Sequence, residues 1–144
     1  MPRTENDPHY EIIDHTADSG IRVFGKDAEE LFARAGTALF EQITDSGRIV
    51  PQTQHHVTVS GIDWPDLMVN WLRELLYLWT GRELLVVGVE IDKLVEFSLA
   101  ATVGTVTYNP KHHMILSEIK AVTYHGIDVS HRPLGWEATI IFDI

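Results

Sequence analysis

Residues 63–91, DWPDLMVNWLRELLYLWTGRELLVVGVEI, contain the change of period that decides the fold. In the first part Leu67, Met68, Trp71, Leu72, Leu75, Leu76 and Trp79 recur at three- and four-residue steps, the wide apolar face of a core helix. The helix starts near Asp63, with Pro65 in the first turn, where its missing N–H is harmless. Thr80-Gly81 closes it. Tryptophans at this spacing read as core packing, with a partner-binding face as the alternative. From Leu84 the pattern changes, and Leu84 to Ile91 is rich in β-branched residues.

Toward the N-terminus, Tyr10 to Asp14 reads as a short strand and Gly20 to Gly25 as a second. Asp27 then opens a helix, with Glu30 three residues on as the partner acid of a capping box. Leu31, Phe32, Ala35, Leu39, Phe40 and Ile43 follow at helical spacing, and Asp45-Ser46-Gly47 stops the run. Val57-Thr58-Val59 is a strand.

Toward the C-terminus, Asp92-Lys93 reads as a turn. Leu94 to Tyr108 is one long strand or two shorter ones broken near Gly104, and Asn109-Pro110 is a turn. Ile115 to Tyr124, Gly126 to Val129 and Trp136 to Ile144 complete the strands. Two helices followed by consecutive strands predict an α+β single domain, its helices packed on one face of a largely antiparallel sheet. Residues 1–9 are expected to be a flexible N-terminal segment and residues 10–144 the domain. No internal repeat or low-complexity tract stands out.

A chain of 144 residues buries about 70% of the surface its unfolded form exposes. It has no run of about 18 apolar residues to span a membrane. The first residues lack the apolar core of a secretion signal, so a cytoplasmic protein is expected. With no cysteine, thiol catalysis, disulfides and thiolate-bound zinc are excluded. Eleven basic residues against 21 acidic ones leave a formal net charge of −10. Non-specific grip on nucleic acid needs clustered Lys and Arg, which are scattered here. RNA, if involved, is therefore reached through a basic partner protein. The plainer reading is that the charge supports solubility.

The sequence closes on Ile140-Ile141-Phe142-Asp143-Ile144. Alternation sets Ile140, Phe142 and Ile144 on one face, with Thr139, Ile141 and Asp143 on the other. Burial of Ile144 would pin this end and present its α-carboxylate beside that of Asp143. A third carboxylate is on offer in Asp14-His15-Thr16-Ala17-Asp18, between the first two strands. The plain reading of that stretch is a turn, because Asp and Thr bond nearby backbone groups. If the last strand lies beside it, Asp18, Asp143 and the Ile144 terminus form an all-oxygen set suited to Ca²⁺, Mg²⁺ or Mn²⁺. A cation also removes the repulsion that otherwise raises the pKa of clustered carboxylates.

His15, His112, His113, His125 and His131 raise a zinc alternative. None has the i, i+4 helical pairing of a zincin, and surface or locally bonded histidines are the better reading, with His15 able to orient an aspartate. In Glu118 to His125, Lys120 projects with Glu118, Val122 and Tyr124. It is either a solvent-face lysine or a point charge for phosphate or an acidic partner. No phosphate-binding glycine loop, serine nucleophile elbow or dinucleotide fingerprint is present.

Five pieces in order make the chain resemble the archease family from Tyr10 to Ile144. They are Tyr10 to Asp18, the helix around Glu30-Leu31-Phe32, Trp71 to Tyr77, Lys120-Ala121-Val122-Thr123-Tyr124-His125, and Phe142-Asp143-Ile144. The resemblance implies an accessory protein and not an enzyme. Its partner would be the GTP-dependent RNA ligase that joins 2′,3′-cyclic phosphate or 3′-phosphate ends to 5′-hydroxyl ends in tRNA splicing and RNA repair. It implies promotion of ligase guanylylation and multiple turnover, with RNA met only through the ligase. It implies a divalent metal, calcium foremost, on Asp18, Asp143 and Ile144, and a functional lysine at Lys120. Asp14 belongs to the motif as support for the turn. Many relatives carry glutamate after the glycine matching Gly104, where this chain has Thr105. The competing class is a stand-alone divalent-metal-dependent hydrolase or nuclease using the same carboxylates.

Overall fold

The computed structural model describes residues 8–14, 19–45 and 49–144, without the Asp14 side chain. The expected features at residues 1–7, His15 to Asp18 and Ser46-Gly47 lie outside the described residues. The elements are β1 (Tyr10–Asp14), β2 (Ser19–Gly25), α1 (Ala28–Ile43), β3 (Thr53–Ser60), α2 (Trp64–Arg82), β4 (Leu84–Val95), β5 (Ser98–Thr107), β6 (Ala121–Arg132) and β7 (Gly135–Asp143). They form an α+β domain in which the strands make two antiparallel sheets, β1-β2-β7-β6 and β3-β5-β4. Where the sequence reading had a single sheet, α1 packs on β2 and β4, and α2 packs on β6, β3 and β4. Each helix thus buries its apolar face against strands of both sheets.

Both helices start the same way. At α1, Asp27 Oδ1 accepts the Glu30 N–H at 2.8 Å, and Glu30 Oε1 accepts the Lys26 N–H at 3.0 Å. At α2, Asp63 Oδ1 accepts the Asp66 N–H, and Asp66 Oδ2 accepts the Ile62 N–H, both at 2.9 Å. Each arrangement satisfies helix-start donors with acids at the positive end of the dipole. Gly25 and Gly61 precede the two caps by two residues. A Cβ on either would lie 2.5 Å from the backbone nitrogen of Leu31 or Leu67, so each glycine is required by close approach. Gly-x-Asp-x-x-acid-Leu is therefore a local motif used twice, although the sequence reading saw only its first copy.

The core runs between the helices. Trp71 is fully buried, as are Phe32, Leu72 and Leu75. Trp64 makes tilted or edge contacts with Phe32, Phe97 and Trp136, with ring centroids 5.9, 5.1 and 5.2 Å away. Trp79 packs edge-on against Tyr108 at 5.2 Å. The core assignment thus stands for Trp71, whereas Trp79 is partly buried and packs against the core.

Several boundaries differ from expectation. α2 continues through Gly81 to Arg82, and Glu83 caps it in the left-handed region, at φ 54°. Asp92-Lys93 is not a turn. β4 runs on to Val95 with a register shift between Ile91 and Lys93, and Asp92 Oδ2 accepts the Thr102 hydroxyl at 2.7 Å. That side-chain bond holds the bulge inside the strand. The reversal comes instead at Glu96-Phe97, where Glu96 has φ 48°. β5 passes through Gly104 unbroken, because the missing side chain makes room for Pro51, which a Cβ would meet at 2.7 Å.

Ile115 makes only an isolated bridge to Thr44, and no strand forms over residues 116–120. The expected strands Ile115 to Tyr124 and Gly126 to Val129 are replaced by β6. Its pairing with β7 is interrupted between Thr123 and Asp128.

Candidate functional site

Three strand pairings gather the sequence-predicted residues at one end of the four-stranded sheet. Asp14 pairs with Ser19 across β1 and β2, Ser19 with Phe142 across β2 and β7, and Ala121 with Asp143 across β6 and β7. The Lys120 N–H then donates to the Asp143 carbonyl at 2.8 Å, extending the ladder by one bond. Lys120, Asp143 and Ile144 therefore meet at the sheet end. Asp18 lies outside the described residues, and its chain neighbour Ser19 sits across from Phe142.

Phe142 is fully buried and Asp143 is exposed, whereas Ile141, on the same face as Asp143, is buried. Ile144 is 51% exposed, so its side chain does not pin the chain end as expected. It follows the last paired residue, beyond the reach of the core. The anchors are the buried Phe142 and the bond from Lys120 to the Asp143 carbonyl. Beside them, Gly20 gives Ile141 its space, since a Cβ there would come within 2.8 Å of Ile141 Cδ1.

None of the ion pairs among the described residues involves Asp143 or Lys120. Nor does any group of three His, Cys, Asp or Glu gather among those residues. Asp143 and Ile144 offer oxygen donors alone, which fits a hard divalent cation.

Lys120 is exposed and lines a groove of about 460 Å³ with Trp79, Thr80, Glu83, Ile115, Glu118 and Ile119. Val122 does not project with it: Val122 is fully buried, whereas Lys120 and Tyr124 are exposed. β6 begins only at Ala121, so strand alternation cannot be carried back through residues 118–120.

Of the candidate histidines, His112 and His125 are exposed, and others are engaged locally. His113 Nδ1 accepts the Asn109 N–H at 2.9 Å, and the His131 ring stacks on Trp136 at 4.6 Å. His55 Nε2 lies 3.0 Å from the hydroxyl of Thr105, which is fully buried. The Thr105 hydroxyl thus has a partner.

One cluster escaped the sequence reading. The Tyr124 hydroxyl donates to Asp66 Oδ1 at 2.6 Å, and the Arg73 guanidinium lies over the Tyr124 ring at 4.8 Å from its centroid. Arg73 Nε also donates to the Val122 carbonyl at 3.1 Å. The hydrogen bond with Tyr124, then the Ile62 N–H, lower the Asp66 pKa; the same Asp66 bond raises that of Tyr124. The available signal was Asp66 and Arg73 seven residues apart on one helix face.

The Archease protein family (MTH1598/TM1083) matches residues 10–144. The archease of Methanosarcina mazei is 33% identical over 139 residues, covering 94% of this chain and 95% of that protein. That of Methanosarcina barkeri is 34% identical over 139 residues, with the same shares covered. The solution structure of Methanobacterium thermoautotrophicum protein 1598 superposes with a TM-score of 0.78 at 29% identity, over 94% of this chain and 99% of that one. A Thermotoga maritima crystal structure, described as an archease and possible chaperone, matches with a TM-score of 0.65 over 99% of both chains. At 21% identity, that likeness speaks for the fold. With the family matched across the whole domain and a third of the residues shared with named members, the chain belongs to the archease family.

Proposed function

We propose that this protein is an accessory factor that activates the GTP-dependent ligase joining 2′,3′-cyclic phosphate or 3′-phosphate RNA ends to 5′-hydroxyl ends. It promotes guanylylation of the ligase and its multiple turnover, and it is not itself an enzyme. The observation that carries this reading is the meeting of Lys120 with Asp143 at the sheet end, beside the strand that follows Asp18. Asp18, Asp143 and Ile144 hold a divalent cation, calcium foremost, with Mg²⁺ or Mn²⁺ as alternatives. When bound, that cation supplies a hard positive centre near phosphate oxygens. Lys120 adds a flexible point charge from the residue just before β6. The net charge of −10 suits docking on a basic partner surface.

Activation requires tighter binding to the guanylylation-competent ligase than to its other states, since equal affinity shifts no equilibrium. The test is ligase guanylylation and multiple-turnover joining, with and without this protein and its Asp18→Ala, Asp143→Ala and Lys120→Ala variants. Stimulation by the native chain and its loss in the variants support the assignment. Unchanged stimulation by all three overturns it. Turnover of RNA by this protein alone with Mg²⁺ or Mn²⁺ favours the hydrolase instead.

A further inference from the structure

β6 is held unevenly. Ala121 to Thr123 pair with the last residues of β7, and pairing resumes only at Asp128. The short first stretch precedes this interruption and directly follows Lys120. What fixes it from the other side is α2, through two contacts. Arg73 Nε donates to the Val122 carbonyl, and the Tyr124 ring lies under the Arg73 guanidinium with its hydroxyl on Asp66 Oδ1.

Asp66 is a rigid acceptor because it belongs to the α2 start. Its own N–H donates to Asp63, and its Oδ2 accepts the Ile62 N–H and, at 3.4 Å, the Asn70 amide. The matching acid of α1, Glu30, turns instead to Arg34 of its own helix at 3.2 Å. Among the described residues, the second copy's acid bonds a strand side chain directly, whereas in the first copy Arg34 carries the contact on to the Phe24 carbonyl of β2 at 3.0 Å.

We propose that Tyr124, clamped between Arg73 and Asp66, is a positioning residue that holds the start of β6, and with it Lys120 against Asp143, for ligase activation. The proposal rests on the ligase-activation reading above. Tyr124 touches neither ligase nor phosphate in this scheme; it sets where the Lys120 backbone sits. A lysine on a loosened strand still carries its charge but spends less time where that charge is used.

The test uses the full chain with Tyr124→Phe, which keeps the ring under Arg73 and removes the hydroxyl, alone and combined with Asp66→Ala. In the isolated protein, amide exchange at Lys120 is expected to rise about tenfold in Tyr124→Phe while core amides hold. With the ligase, the maximal guanylylation rate is expected to fall about tenfold at an unchanged half-saturating concentration. Tyr124→Phe should add nothing in the Asp66→Ala background, because Asp66→Ala already removes the acceptor of the Tyr124 hydroxyl, together with that of Ile62 and Asn70.

Unchanged Lys120 exchange, additive effects of the two changes, or a loss confined to ligase affinity overturns the proposal. Absence of stimulation by the native chain defeats the ligase reading and, with it, the activation role. The exchange measurement still decides whether Tyr124 holds the strand.

Discussion

Trp71 and Phe32 join the two helices through a buried bond: the indole N–H of Trp71 donates to the Phe32 carbonyl at 2.8 Å, with both residues fully buried. Close approach of the helices makes this contact possible. Gly36, one turn beyond Phe32, leaves the space, since a Cβ there would meet Leu75 Cδ1 at 2.9 Å and Trp71 Cζ2 at 3.3 Å. Replacing Trp71 by Phe removes the donor and leaves a void at the seam. The expected cost is about 1–3 kcal/mol, read as a lower midpoint in chemical denaturation with an unchanged slope.

Gly61→Ala and Gly25→Ala should each destabilise by roughly 1–3 kcal/mol, because the added methyl meets helix backbone that cannot rotate away. Gly88→Ala is the control. Its nearest obstacle is Pro51 Cγ at 3.8 Å, ordinary contact distance, so a change within about 0.5 kcal/mol is expected. Thermal melts of the three variants give the comparison, and equal losses at all three positions would refute the steric account.

Tyr10 couples the first strand to α1. Its hydroxyl donates to Glu41 at 2.8 Å, and burial, then Glu41, push its pKa from 10.0 up to about 12. A folded-state pKa above the unfolded value means that the folded form keeps its proton longer. The associated stability is complete below pH 10 and is lost as pH rises from about 10 to 12. Native protein should therefore lose more stability over that window than Tyr10→Phe does, in parallel melts at mildly and strongly alkaline pH. Identical pH dependence would exclude the Tyr10 contribution.

The proposed cation site makes a prediction that needs no ligase. Calcium should raise the Tm of the native chain, by the equivalent of about 2.7 kcal/mol at 100 times its Kd. Chelation should reverse the rise, and Asp18→Asn and Asp143→Asn should each reduce or abolish it. An equal calcium response in native protein and both variants would remove those two residues from the site.

Asp66 offers an acid-side test of the Tyr124 contact. Its pKa is lowered from 3.8, chiefly by the Tyr124 bond, so the stabilisation is present above pH 3.8 and is lost as pH falls through the lowered value. Tyr124→Phe should flatten that part of the acid-unfolding profile, followed by near-ultraviolet circular dichroism. A profile superimposable on that of the native protein would argue against the coupling.

Local interactions explain what could be read in advance. The start of α1 depends on Asp27 and Glu30, three residues apart, and the apolar faces of both helices follow from spacing alone. The turn at Asn109 also forms within a few residues, where the Asn109 side chain accepts the Lys111 N–H. The Asp92 bulge was misread because the hydroxyl that stabilises it comes from Thr102, across a hairpin. Likewise, Gly104 resembled a strand break until Pro51, distant in sequence, was seen to occupy its missing side chain's space.

For the candidate site, the letters supplied the chemistry: oxygen donors at Asp143 and Ile144, a cation at Lys120, and no thiol anywhere in the chain. Their meeting required β6 to pair beside β7, which sets Lys120 against Asp143. The Asp66–Tyr124 bond spans 58 residues and was invisible for the same reason. Sequence by itself determined the two helices, most of the strand segments and which atoms can bind or react, because caps, periodicity and side-chain chemistry act over a few residues. Tertiary structure decided the division into two sheets and the placing of Lys120 on Asp143, because those depend on pairing and burial between segments far apart along the chain.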